Sequence, residues 1–203
     1  MISPEGVEEA LRLAEGMDVV LVGPGLGRGE GPARLVEAVL SSGGKLVLDA
    51  DALFHLASRP QLLAAAPGEL VLTPHPGEFA HLVGKDPREV VPHKLAWARD
   101  RASDWGATVV LKGPPTAIAA PEGPVYLSTT GNTALSHGGA GDVLAGLIAG
   151  LWASGAAALE AALVGVYVHG LAADILAREG AERALLPGDV LEALPRTFRE
   201  LAV

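Results

Sequence analysis

Five short clusters hold the residue types that do chemistry. Four of them, Gly23-Pro-Gly-Leu-Gly27, Asp49-Ala-Asp51, Thr73-Pro-His-Pro-Gly-Glu78 and Lys112-Gly-Pro-Pro-Thr116, each follow an apolar run; the fifth, Gly138-Gly-Ala-Gly-Asp142, precedes one. Glycines such as Gly138, Gly139 and Gly141 let backbone N–H groups approach a phosphate, and a helix beginning there adds the positive end of its dipole. No Gly-Lys-Ser/Thr follows and no G-x-G-x-x-G is present, so neither the P-loop nor the dinucleotide fingerprint applies. Asp142 has two compatible readings. It can cap the next helix, and it can take the proton of a hydroxyl attacking phosphate while the loop N–H groups stabilise the transferring charge. Lys112 is either a strand-end lysine that snorkels or, with Gly113, Pro114, Pro115 and Thr116, the lining of a nucleotide pocket. Asp49 and Asp51 are either strand-terminating turn residues and a helix cap, or carboxylates that hold Mg²⁺ through waters or bind substrate hydroxyls. His75 lies between two prolines that fix its backbone, and Glu78 suits the first turn of a helix. The other histidines have no metal-ligand spacing, and no G-x-S-x-G appears.

These clusters need a scaffold that brings them to one edge. Apolar runs at 18–22, 45–48, 70–72 and 108–111 read as buried parallel strands. Runs at 116–120 and 125–128 around Pro121-Glu-Gly-Pro124 read as a hairpin. Helical periodicity predicts helices over 5–15, 31–40, 52–57, 77–83, 87–105, 142–153, 157–178 and 187–194. Strand–helix alternation with short connections means an α/β layered sheet with helices on both faces. In such a sheet ligands bind beyond the carboxyl ends of the strands. Four unusual clusters at four successive strand ends therefore converge on one site.

Length and composition agree. The chain has 203 residues, 49% hydrophobic and 19% charged, which supports one domain with a real core and excludes disorder. A net charge of −9 argues against a sequence-independent grip on nucleic acid. With no cysteine there are no disulfides, zinc-thiolate sites, iron–sulfur clusters or thiol nucleophiles. Residues 1–16 carry four glutamates and no apolar core segment, so no secretory signal is expected. The uncharged stretch Val143 to Leu159 is broken by Ser154-Gly155 and reads as a buried helix, not a membrane span. A cytoplasmic protein is expected.

Taken in order, GPGLG at 23–27, DADAL at 49–53, LTPHPGE at 72–78, VLKGPPT at 110–116 and TGNTALSHGGAGDVLAG at 130–146 resemble the NAD(P)H-hydrate dehydratase family of the ribokinase-like superfamily. The resemblance implies a ribokinase-like three-layer sandwich: a mostly parallel central sheet flanked by helices, with a small β-hairpin element. It implies repair of the S-hydrate of NADH or NADPH by ADP- or ATP-dependent dehydration, with Mg²⁺, in which phosphorylation of the hydrate hydroxyl precedes elimination of phosphate. By the same resemblance Asp142 contacts the hydrate as the base, and Gly141 contacts the nucleotide with Gly138 and Gly139. Lys112 through Thr116 cradle the adenine nucleotide. His75, Gly25 and Asn132 touch the hydrate, and Asp49 and Asp51 lie near the phosphates. The family implies a homo-oligomer, often a tetramer, with a small-molecule substrate and no nucleic-acid or membrane partner.

Three departures stand out. Ala140 occupies a position where a hydroxyl residue is frequent. His137 has no assigned role. The chain begins shortly before GPGLG, so residues 1–203 read as a single domain lacking the family's usual N-terminal portion. Two other readings compete: a kinase of the same superfamily acting on a vitamin-precursor alcohol, and an inactive nucleotide-binding or assembly module.

Overall fold

Alternate residues of a strand face opposite sides of a sheet, and here both sides are apolar. Leu46, Leu48, Leu70, Leu72, Val109, Leu111, Ala117 and Ala119 face one helical layer. Val47, Val71, Val110 and Ile118, the residues between them, face the other. The computed structural model describes residues 2–3, 6–180 and 185–201. Its six strands are β1 (Val20–Val22), β2 (Lys45–Leu48), β3 (Glu69–Leu72), β4 (Thr108–Leu111), β5 (Thr116–Ala119) and β6 (Val125–Ser128), and they lie in that order in one sheet. The first four are parallel; β5 and β6 are antiparallel additions, so the expected hairpin extends the same sheet.

The first layer contains α1 (Gly6–Ala14), α2 (Glu30–Ser42), α3 (Asp51–Leu56), α4 (Gln61–Ala64), α5 (Pro76–Val83), α6 (Pro87–Val90) and α7 (Lys94–Trp105). The second contains α8 (Ala140–Ala153) and α9 (Ala158–Arg178), with α10 (Pro187–Leu201) packed on α9. Gly165 permits this packing: a Cβ there would lie 2.7 Å from Cγ1 of Ile148 on α8.

Most boundaries move by a residue or two from those read in the sequence, α4 was not read at all, and four differences have a local cause or move a site residue. The helix expected over 87–105 is interrupted by a 3-10 turn at Val91–His93, where Pro92 cannot donate to a continuing helix. α10 runs through Pro195 to Leu201 and does not stop at 194. α8 starts two residues earlier than expected, with Gly139 at its cap, so Asp142 is a first-turn residue and not the cap. Asp51 likewise follows the cap Ala50.

The uncharged stretch Val143 to Leu159 divides as expected: α8 ends at Ala153 and α9 begins at Ala158. Among the described residues one helix, α9, is long and apolar enough to cross a membrane by length and composition, yet ten of its residues are buried in the fold.

Candidate active site

The ends of β1 to β4 are joined laterally by backbone hydrogen bonds. Asp49 N–H donates to the Val22 carbonyl at 3.1 Å, Thr73 N–H to Leu48 at 3.1 Å, and Lys112 N–H to Pro74 at 2.9 Å. This ladder sets the four clusters side by side. Gly23 is required where β1 meets β2, because a Cβ there would lie 1.7 Å from the Asp49 carbonyl oxygen. At Ala50 the chain turns with φ 49°, an unusual conformation for a residue other than glycine. The turn separates the two carboxylates.

Asp49, 1% exposed, accepts a hydrogen bond from Lys112 Nζ at 2.9 Å. Lys112 therefore does not snorkel; its side chain is 19% exposed and its ammonium also lies 3.8 Å from Glu78 Oε2. Gly141 faces the same ammonium: a Cβ there would lie 3.1 Å from Nζ and 3.7 Å from Asp49 Oδ2. Side chains from two strand ends, β2 and β4, thus meet the first turn of α8.

Asp51 points the other way. Its Oδ2 accepts from Gly27 N–H at 2.8 Å and its Oδ1 lies 3.8 Å from Arg28 Nε. His55 adds a second tie to the glycine loop through Nε2 and the Gly27 carbonyl, 3.0 Å apart. Gly25, at φ 66°, stands exposed at the apex of this loop. His75 caps α5: its Nδ1 accepts from Gly77 N–H at 3.0 Å and Glu78 N–H at 3.2 Å, while Glu78 Oε2 accepts from His75 N–H at 2.7 Å. Glu78 is thus a capping-box partner as well as a neighbour of Lys112.

The loop of Lys112–Thr116 leaves Pro114 and Pro115 exposed. Thr116 Oγ1 donates to the Gly113 carbonyl at 3.1 Å, closing the turn. Lys94 Nζ donates to the Pro115 carbonyl at 2.8 Å, and burial lowers its pKa.

At the glycine loop, Ala140 N–H donates to His137 at 3.2 Å and Asp142 N–H to Gly139 at 3.1 Å. The N–H groups of Gly139, at the cap, and of Gly141, in the first turn, point no such bond at the backbone among the described residues. Gly139 adopts φ 92° over Pro187. Asp142 is exposed and lies at the mouth of a groove of about 630 Å³ between α8 and α10, floored by Val143, Leu147, Leu191 and Leu194. Asn132 holds the loop that leads to the glycines: its Nδ2 donates to Asp174 at 2.9 Å and its Oδ1 accepts from Ala134 N–H at 3.0 Å. His137 fixes the same loop through Nδ1 and the Ala134 carbonyl, 2.8 Å apart.

Asp49 and Asp51 are thus occupied by Lys112 and by Gly27 with Arg28. Among the described residues no three carboxylates or imidazoles converge on one point. The donors present do not fit a Mg²⁺ held by the protein alone.

One participant carried no signal in the sequence. His169, on α9, is buried, and its Nε2 has no hydrogen-bond partner. Burial pushes its pKa down to about 4; a hydrogen bond with the Ala140 backbone opposes this and the Lys112 charge adds to it. The unfolded chain therefore gains a proton below its ordinary pKa of about 6.5, while the native protein gains one only near 4. The native state loses stability as pH falls through that window. Wild type is expected to lose about 2 kcal/mol more than His169→Gln between pH 7 and pH 5 in urea melts. Equal losses would remove His169 from this account.

The family model for NAD(P)H-hydrate dehydratase matches residues 2–196. A bifunctional NAD(P)H-hydrate repair enzyme of Moorella thermoacetica is 44% identical over 191 residues, covering 94% of this chain and 36% of that protein. The structure of the ADP/ATP-dependent NAD(P)H-hydrate dehydratase of Bacillus subtilis, co-crystallized with ATP and Mg²⁺, superposes with a TM-score of 0.80 at 34% identity, over 90% of this chain and 64% of the other. A ribokinase-like superfamily protein of Enterococcus faecalis gives a TM-score of 0.84 at 30% identity, over 97% of this chain and 69% of the other. The chain spans a little over a third of the bifunctional enzyme and just under two thirds of the Bacillus protein. The three-layer sheet is ribokinase-like, and with a family match running through all five clusters the chain belongs to the NAD(P)H-hydrate dehydratase family.

Proposed function

We propose that the chain carries the nucleotide-binding and catalytic face of an ADP-dependent (S)-NAD(P)H-hydrate dehydratase. The observation that carries this reading is the meeting of Lys112, Asp49 and Gly141 at the first turn of α8, with exposed Asp142 in the same turn. A lysine and a helix start facing one point favour a polyphosphate. The family membership and the ATP and Mg²⁺ of the Bacillus structure support the same ligand class.

In this reading the Lys112–Thr116 turn and the glycine loop hold the nucleotide. The hydrate hydroxyl attacks the terminal phosphorus, and Asp142 takes its proton. The N–H groups of Gly139 and Gly141, with Lys112, bind the charge that develops on the transferring phosphoryl group. AMP leaves. The C–O bond of the phosphorylated hydrate then breaks, phosphate departs with the electron pair, and loss of a proton from the adjacent carbon restores the reduced ring. Hydrate and ADP thus become NAD(P)H, AMP and phosphate. A divalent cation, in this reading, arrives on the nucleotide phosphates and neutralises their charge.

Incubation with ADP, Mg²⁺ and the S-hydrate of NADH is expected to regenerate the absorbance of the reduced nicotinamide ring, with one AMP per hydrate consumed. Stable phosphorylation of a thiazole or pyrimidine alcohol without hydrate repair would make the protein a kinase instead. ADP binding without either reaction would make it a nucleotide-binding module.

A further inference from the structure

Beside the phosphate-facing cluster lies a second cavity of about 310 Å³, lined by Arg28, Ala50, Asp51, Phe54, His75, Gly77, Glu78 and His81. It shares the wall formed by His75 and Glu78 with the site described above. Glu78 straddles the two: its Oε2 lies 3.8 Å from Lys112 Nζ, and its Oε1 lies 3.4 Å from His75 Nε2.

The cavity is built around a stack of planar groups. The Arg28 guanidinium lies 4.0 Å from the Phe54 ring centre, and Phe54 stacks on His81 with ring centres 5.3 Å apart and 21° between planes. Asp51 holds the Nε edge of Arg28 from the side at 3.8 Å. Stacked and edge-held, the guanidinium keeps its outer N–H groups for another partner, and the side chain is 67% exposed. The two carboxylates in the wall are already engaged: Asp51 by Gly27 N–H and Arg28, Glu78 by His75 N–H and Lys112. Ala50, at φ 49°, lies in the same wall; strain of this kind is held only where surrounding structure fixes it, and it clusters at ligand clamps.

Building on the reaction proposed above, we propose that this cavity is the substrate's own phosphate lobe, in which Arg28, beside His75 and His81, binds the pyrophosphate of the hydrated dinucleotide. The site then has two anion lobes divided by Glu78. Lys112 and the glycine loop take the phosphoryl donor; Arg28 takes the acceptor. The division keeps two polyphosphates apart while the hydrate ring lies between them. It also makes Arg28 a determinant of substrate class: it distinguishes a dinucleotide from a nicotinamide riboside that carries no phosphate.

Equilibrium binding tests this without requiring turnover. Three probes are titrated into wild type and Arg28→Glu: NADH, dihydronicotinamide riboside and ADP. Wild type is expected to bind NADH more tightly than the riboside. Arg28→Glu is expected to weaken NADH by about 10- to 100-fold, the worth of a charge-assisted contact to phosphate, with riboside and ADP affinities kept. Unchanged NADH affinity would overturn the proposal. So would weakening of all three probes together, because that pattern belongs to a structural defect. A protein that repairs hydrate with no dependence on Arg28 loses this lobe and keeps the reaction. One that repairs nothing, yet binds NADH through Arg28, loses the reaction and keeps the lobe.

Discussion

Asp142→Asn is expected to lower hydrate turnover by about 10²- to 10⁴-fold at saturating ADP, the usual contribution of a positioned base. The substitution keeps the side chain's size and its place in the first turn of α8, and removes only the ability to take a proton. Folding should barely register it. Asp142 is exposed, and a carboxylate in a first helical turn contributes about 0.3–1 kcal/mol through the helix dipole. Turnover and ADP affinity therefore separate: kcat collapses while ADP still binds. Single-turnover rates with pre-bound ADP would read this directly. A variant within threefold of wild type, about 0.7 kcal/mol in barrier, would remove Asp142 from the chemistry.

Lys112→Met is expected to destabilise the fold by about 3–5 kcal/mol, because it leaves Asp49 buried without its cation. The double variant Asp49→Asn with Lys112→Met should recover much of that loss. Urea denaturation of the four proteins in the cycle gives the coupling energy. Additive losses would mean that the two charges are independently solvated, contrary to the 2.9 Å contact. Both variants that lack Lys112 should also bind ADP weakly, including the double variant whose stability returns. That split distinguishes the lysine's structural role from its part in gripping phosphate.

Much of the framework is visible in the sequence because local rules write it. Leu46, Val47 and Leu48 are all apolar, as a strand covered on both faces requires, and the same holds at Leu70–Leu72 and Val109–Leu111. The positions of the clusters after strands follow from that. Helix limits are harder. Pro92 marked the interruption before α7, but the amphipathic spacing on either side hid it. The helix expected over 187–194 continues through Pro195, because Val190, Ala193, Leu194 and Thr197 are buried along one face of α10. Asp142 looked like a cap because it is a good one; the turn through Gly139 starts the helix earlier.

The pairings within the site were not legible, for a different reason. Asp49 and Lys112 are 63 residues apart, and no periodicity links the ends of different strands. His169 sits deep in an ordinary apolar helix. Arg28 lies just past the glycine loop, and the stack it joins is built by Phe54 of α3 and His81 of α5. The partners of Asn132 were equally hidden: Asp174, on a helix 42 residues away, takes its Nδ2, and Ala134 N–H its Oδ1.

The ladder of backbone hydrogen bonds across the ends of β1 to β4 bears on how the protein responds to its ligands. Rungs at Asp49, Thr73 and Lys112 tie the four strand ends into one plate, whose backbone polar groups are already paired before any molecule enters. Adjustment falls to what stands above the plate: the exposed apex at Gly25, the rim arginine and the glycine turn before α8. Chemistry on this scaffold can accordingly be retuned by exchanging rim side chains, with no need to rebuild the sheet beneath them.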